Sequence, residues 1–164
     1  MLSEKTKITL YNTLVTPHFT YGDIIWGGCS QENARKLQVA QNFAMRTIKN
    51  KKKTESAKEI LIELKYLNLA EKRQVHEAVF ITKSLLNKTS QNITDKYLQY
   101  PSTTDSRQAQ NGKLTIPQHR TTAFKKSPLY RTIKIWNEIP TTISTGDATK
   151  FKKAYQTYLI EQRK

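Results

Sequence analysis

Residues 30–49 read SQENARKLQVAQNFAMRTIK, and they are the clearest guide to the fold class. The apolar residues recur at intervals of three and four, which is typical of one face of an amphipathic helix. This stripe consists of Ala34, Leu37, Ala40, Ala44 and Ile48. Because serine is a preferred N-cap, Ser30 and the stripe together predict a helix over residues 31–49.

A second helical segment precedes this stretch. Ser3 is expected to cap it, and Pro17 is expected to kink or restart it, because proline removes a backbone donor and clashes with the preceding turn. The pair Gly27-Gly28 is expected to end it, since glycine readily adopts the conformations that terminate helices.

Further helix starts follow downstream. Ser56 and Glu59 have the spacing of a capping box, in which each side chain bonds a backbone N–H at the other position. Asn68 and Glu71 have the same spacing, with Asn as the cap. The last two helices are expected to be capped by Ser127, with Pro128 as the first helical residue, and by Asp147.

Residues 99–127 interrupt the helical pattern. They are rich in turn formers, and residues 113–117 (KLTIP) alternate as a short strand or an extended segment does. The sequence therefore predicts an all-α fold of about six helices in a bundle-like arrangement. We expect one long irregular basic segment at about 99–127, at most two short strands, and a domain boundary between residues 1–98 and 99–164.

Charge is the strongest compositional signal. The chain has 28 Lys and Arg against 13 Asp and Glu, a formal net charge of +15, and its second half carries most of that excess. Such a field concentrates polyanions, so nucleic acid is the leading class of partner. The alternative is a basic solvated surface with no dedicated ligand. The apolar share of 37% predicts a thin core, or helices whose apolar faces expect a partner.

Several other classes are disfavoured. No stretch approaches the length of apolar sequence that a membrane span requires, and the N-terminus MLSEKTK has no apolar core of a signal peptide. We therefore expect an intracellular location, nucleus or cytoplasm, and no membrane partner. A single Cys29 and scattered histidines supply no metal-ligand spacing. Without clustered carboxylates or a phosphate loop, the sequence predicts no catalytic residues, no metal site and no cofactor.

Four motifs, in order along the chain, carry a resemblance to a known family. They read LYNTLVTPHFTYGDIIWG at 10–27, LQVAQNFAMRTI at 37–48, SPLY and WNEIP within 127–140, and FKKAYQTYL at 151–159. Together they resemble the region that follows the palm in reverse transcriptases of non-LTR (LINE-type, jockey-like) retrotransposons. The resemblance spans about residues 2–162.

The resemblance implies that this chain is a C-terminal fragment of an RNA-directed DNA polymerase. Residues 1–98 would be the thumb-like helical region, and residues 99–164 the basic extended segment with the C-terminal helices. The fingers and the palm, with its catalytic aspartates, would lie upstream of Met1. This chain alone is therefore expected to catalyse nothing. Without that palm to cover its first helices, Trp26 is expected to be partly exposed.

The implied partner is RNA or an RNA–DNA duplex, gripped weakly and mainly through phosphates, together with the missing fingers and palm. The eight basic residues and one acidic residue of the stretch from Lys96 to Lys134 suit such contacts, since phosphate contacts position nucleic acid without reading its sequence. The candidate nucleic-acid-binding residues are Lys51, Lys52, Lys53, Arg107, Lys113, Arg120, Lys125, Lys126 and Arg131. The aromatic residues Tyr11, Tyr21 and Trp26 are expected to be core, the alternative being that they stack on nucleotides.

Two other readings stay open at this point. One is a non-enzymatic basic helical module that binds nucleic acid or scaffolds a partner. The other is an inactive translated remnant of the retroelement.

Overall fold

The computed structural model describes residues 2–86, 98–100, 112–143 and 146–163. The first described stretch is helical almost throughout. Its elements are α1 (Glu4–Leu10), a π-helical turn (Tyr11–Val15), α2 (Thr16–Thr20), α3 (Asp23–Trp26), α4 (Gln31–Ile48), α5 (Ala57–Glu63) and α6 (Leu69–Leu85). The wide π turn directly precedes α2, whose second residue is Pro17, and the proline would otherwise clash with the carbonyl of the turn before it.

The later stretches complete the fold. They contain α7 (Thr122–Lys125), α8 (Pro128–Glu138), a 3-10 turn (Thr141–Ile143) and α9 (Ala148–Glu161). The all-α prediction is confirmed, and about six helices is roughly consistent with the described residues. Residues 113–117 form neither helix nor strand, and no strand occurs in the part of the chain that the structure describes. Most of the predicted irregular segment, residues 101–111, lies outside the described residues.

Local capping signals account for most of the helix starts. Ser3, Ser30 and Ser127 each accept a hydrogen bond from a first-turn backbone N–H. The box at Asn68 forms fully: Glu71 N–H donates to Asn68 Oδ1 over 2.9 Å, and Asn68 N–H donates to Glu71 Oε2 over 3.0 Å. The predicted box at Ser56 is wrong in its bonding. The helix begins at Ala57, but the Ser56 side chain makes no capping bond.

The chain contacts divide into two units, Met1–Arg73 with Leu159–Lys164, and Gln74–Tyr158. The boundary predicted between residues 98 and 99 stays a prediction. The first unit has an apolar core around Met45, which packs with Tyr11, Ile48, Ile60 and Leu61.

The core of the second unit contains Ile81, Leu98, Leu114 and Ile133. The motif residue Asn137 holds the extended segment beside α8. Its Oδ1 accepts from Leu114 N–H over 2.8 Å, and its Nδ2 donates to Leu114 O over 2.9 Å. The next residue bonds to a different part of the chain, since Thr115 N–H donates to Gln99 O over 2.8 Å. Side-chain and backbone partners together therefore satisfy the backbone of this segment.

Candidate nucleic-acid interface

The segment around α7 carries three of the predicted contacts. Arg120 lies just before the N-cap Thr121, while Lys125 and Lys126 lie at the C-terminal end of the helix. All three side chains are exposed. None of them forms an ion pair or side-chain hydrogen bond with the described residues. The structure therefore presents three available cations within seven residues.

Aromatic packing fixes this segment in place. The rings of His119, Phe124 and Tyr130 form one cluster, with the His119 and Tyr130 centroids 4.9 Å apart. Arg131 Nη1 also donates to the Lys126 carbonyl. The exposed cations thus extend from a backbone that is held at both ends of α7, which limits the entropy lost when they contact a ligand.

Arg131, a fourth predicted contact, has a structural partner. Its Nη2 lies 2.7 Å and its Nε 3.0 Å from Glu77 Oε1, and the Glu77 side chain is only 2% exposed. A buried carboxylate needs such a partner because burial without one costs several kcal/mol. A phosphate contact by Arg131 would compete with this pair.

Two candidates of the basic segment remain, and only one of them lies within the described residues. Lys113 is half-buried and directly precedes Leu114, whose backbone is bonded to Asn137. Arg107 lies outside the described residues. Both stay predictions.

The Lys51–Lys53 loop lies in the first unit and is organised by Glu55. The Glu55 carboxylate lies 2.8 Å from Lys51 Nζ and accepts from Lys52 N–H over 2.9 Å. These bonds raise the pKa of Lys51 and lower the pKa of Glu55. Lys52 and Lys53 are exposed and make no side-chain bond with the described residues. They are the two available cations of this loop.

The aromatic residues of the first motif differ in exposure. Tyr11 is buried, and its hydroxyl accepts from Gln41 Nε2 over 3.2 Å. Trp26 is half-buried under the Arg73 guanidinium, which lies 5.0 Å from its ring, a cation–π contact. Tyr21 is 87% exposed. The expectation of a core position is therefore wrong for Tyr21, which is the most exposed of the three and the most accessible for stacking.

The glutamines of the second motif form a buried network. Gln41 is fully buried; its Oε1 accepts from Gln38 Nε2 over 2.7 Å, and its Nε2 donates to Leu67 O over 3.1 Å. Gln38 Oε1 accepts from Leu69 N–H over 3.0 Å. The glutamines therefore bond α4 to the start of α6.

The aromatic residues of the last two motifs belong to the core of the second unit. The Trp136 and Phe151 rings lie 5.9 Å apart, and Tyr155 stacks on Phe151 at the same spacing. Burial raises the pKa of the Tyr155 hydroxyl to about 12. These motif residues therefore stabilise the core of the second unit. The exposed cations described above are separate from them.

Sequence reasoning missed a cavity of about 450 Å³ in the first unit. Arg35, Lys58 and Arg73 line it, and each comes from a different helix. The available signal was Arg35, Gln38 and Asn42, whose i, i+3, i+7 spacing makes a polar row on one side of α4.

Searches against family models, curated proteins and solved structures found nothing that matches this chain. Within the described ranges, no helix is both long and apolar enough to cross a membrane. The same ranges contain no group of three or more His, Cys, Asp or Glu side chains arranged to hold a metal ion.

Proposed function

We propose that this chain is the thumb and post-thumb portion of a retroelement RNA-directed DNA polymerase, and that it grips template–primer nucleic acid through phosphates. The four motifs support the family, and the charge of +15 supports the class of ligand. Catalysis would belong to the palm of the whole polymerase, and this chain would contribute positioning.

One observation carries the nucleic-acid part of the proposal. Arg120, Lys125 and Lys126 are exposed, unpaired within the described residues, and mounted on a packed aromatic cluster. Cations of this kind neutralise phosphates without base contacts, which suits a grip on any sequence. A-form duplexes are recognised in this way, through backbone and shape.

The test is the salt dependence of duplex binding. Each neutralised phosphate contributes about −0.7 to −0.9 to the slope of log affinity against log salt. Changing Arg120, Lys125 and Lys126 together to Gln is therefore expected to flatten the slope by about 2 to 3 and to weaken binding to all sequences alike. Fluorescence anisotropy with a labelled RNA–DNA duplex at several salt concentrations measures both quantities.

Arg131 is left unchanged in this variant because it pairs with the buried Glu77. The control is Lys152→Gln with Lys153→Gln, which removes two exposed cations from α9. The control is expected to keep the parent slope. A triple variant with the parent slope and affinity would show that these cations form only a solvated surface.

A second candidate function is a partner-binding helical module. Exposed apolar side chains in the first unit favour it, among them Leu14, Ile25 and Phe43. Parent protein that fails to bind any duplex at low salt would leave this candidate as the better account.

A further inference from the structure

The cavity of the first unit is bounded by α4, α5 and the start of α6. Its polar lining residues are Arg35, Gln38, Asn42, Lys58, Asn68 and Arg73. No acidic residue lines it. Its volume of about 450 Å³ lies within the usual range of small-molecule sites, roughly 300–1,000 Å³.

The side-chain amides of the lining have fixed orientations. Leu69 N–H donates to Gln38 Oε1, so the Gln38 amide nitrogen must face the other way, toward Asn42 Oδ1 at 2.9 Å. Glu71 N–H likewise fixes Asn68 Oδ1 as an acceptor. Because backbone N–H groups can only donate, these assignments follow from the bonding pattern.

The consequence is that the amide donors of the lining are freer than its amide acceptors. The oxygens of Asn42 and Asn68 each accept one hydrogen bond, whereas their Nδ2 groups have no partner among the described residues. Arg35 and Lys58 are exposed and make no ion pair with the described residues. The cavity is therefore suited to a ligand that carries several acceptor oxygens and negative charge.

Arg73 contributes a guanidinium to the lining of the cavity. Its Nη1 donates to Gly27 O over 3.0 Å, and its guanidinium lies over Trp26, while its buried Nε has no hydrogen-bond partner among the described residues. A buried polar group without a partner costs about 1–3 kcal/mol and is uncommon in proteins.

We propose that this cavity binds a phosphate monoester, with Arg35, Lys58 and Arg73 around the phosphate and room for a group of nucleotide size beside it. Planar guanidinium groups and the Lys ammonium match phosphate oxygens. The site is separate from the proposed grip on duplex, since none of its residues is among the candidate duplex contacts.

Calorimetric titration of the full chain with AMP, adenosine, inorganic phosphate and a trinucleotide with and without a 5′-phosphate tests the proposal. AMP is expected to bind at least about tenfold more tightly than adenosine, because a hydrogen bond between charged groups is worth about that factor or more. Comparison of AMP with the 5′-phosphorylated trinucleotide separates a free nucleotide from a strand end as the source of the phosphate.

Changing Arg35 and Lys58 together to Gln is expected to weaken AMP binding by at least about tenfold. NMR supplies a local readout. The Trp26 indole N–H donates to Tyr21 O, and the Trp26 ring lies under the Arg73 guanidinium. The Trp136 indole N–H donates to Gly112 O and serves as the reference signal. AMP is expected to shift the Trp26 signal and leave the Trp136 signal in place.

The control is the Arg120, Lys125 and Lys126 triple variant, which removes more charge and is expected to bind AMP as the parent does. A loss of duplex binding can therefore be told apart from a loss of AMP binding in the cavity. Equal affinity for AMP and adenosine, no binding of any phosphorylated probe, or an unchanged affinity in the Arg35 and Lys58 variant would each overturn the proposal.

Discussion

The side chains of Arg120 and Arg131 show how neighbouring residues of one type take different roles. Arg120 is exposed and has no side-chain partner within the described chain. Arg131 is bonded to Glu77, which α6 places inside the second unit, 54 residues away in sequence. The two residues contribute equally to the net charge. Their roles differ because Arg131 lies beside a buried carboxylate, which requires a compensating cation.

Arg131→Gln is therefore expected to lower the free energy of unfolding by about 3 kcal/mol, since it leaves the buried Glu77 carboxylate with less compensation. Urea denaturation followed by circular dichroism measures the change. Arg120→Gln is the matched control and is expected to stay within about 0.5 kcal/mol of the parent. A double-mutant cycle with Glu77→Gln isolates the pair; single changes that simply add would show that the two residues are not coupled.

Two helix starts show that serines at equivalent positions also differ in whether they have a bonding partner. Ser30 and Ser56 both precede a helix in the first unit. Ser30 Oγ accepts from Asn33 N–H over 3.3 Å, whereas Ser56 makes no such bond. The start of α5 therefore depends on packing, since Ala57, Ile60 and Leu61 are all buried. An amphipathic face is enough to hold a short helix against a core.

Ser30→Ala is accordingly expected to lower the free energy of unfolding by about 1 kcal/mol, the usual contribution of a serine cap. Ser56→Ala is expected to cost only a few tenths of a kcal/mol, because there is no capping bond to lose. Both serines lie in the first unit, so the same unfolding transition reports both changes. Equal losses would show that the Ser56 hydroxyl caps α5 in solution.

At the scale of the whole molecule, most of the exposed large apolar side chains among the described residues belong to the first unit. Among its exposed large side chains, Tyr21, Ile25 and Phe43 are between 68% and 87% exposed. Val39 and Phe43 are one turn apart on α4 and so face the same side. Exposed apolar side chains that lie together are typical of surfaces that another protein or domain covers. Val39 and Phe43 meet that condition, which accords with both candidate functions.

The chain is therefore expected to bind an apolar dye such as anilinonaphthalene sulfonate while fully folded. Changing Val39 and Phe43 together to Gln should lower the dye fluorescence without lowering the free energy of unfolding, since both side chains are exposed. Ala40→Gln, at an exposed neighbour with little apolar surface, is the control and should leave the signal unchanged. A folded parent that gives no dye signal would argue against an open apolar face.

Sequence alone was sufficient for the all-α class and for most helix starts. The reason is physical: a cap bonds a backbone N–H only two or three residues away, and helical periodicity is a property of one segment. Ser3, Ser30, Asn68 and Ser127 were predictable on this ground. Ser56 was not, because whether its hydroxyl turns toward the helix depends on its surroundings.

The candidate sites depended on tertiary structure, because availability of a charge or a donor is set by partners far away in sequence. The orientation of the Gln38 amide is fixed only because Leu69, 31 residues later, donates its N–H to the Gln38 oxygen. Arg131 is engaged only because α6 presents Glu77 to it. The sequence determined how many cations and amides the chain carries; folding decided which of them are left for a ligand.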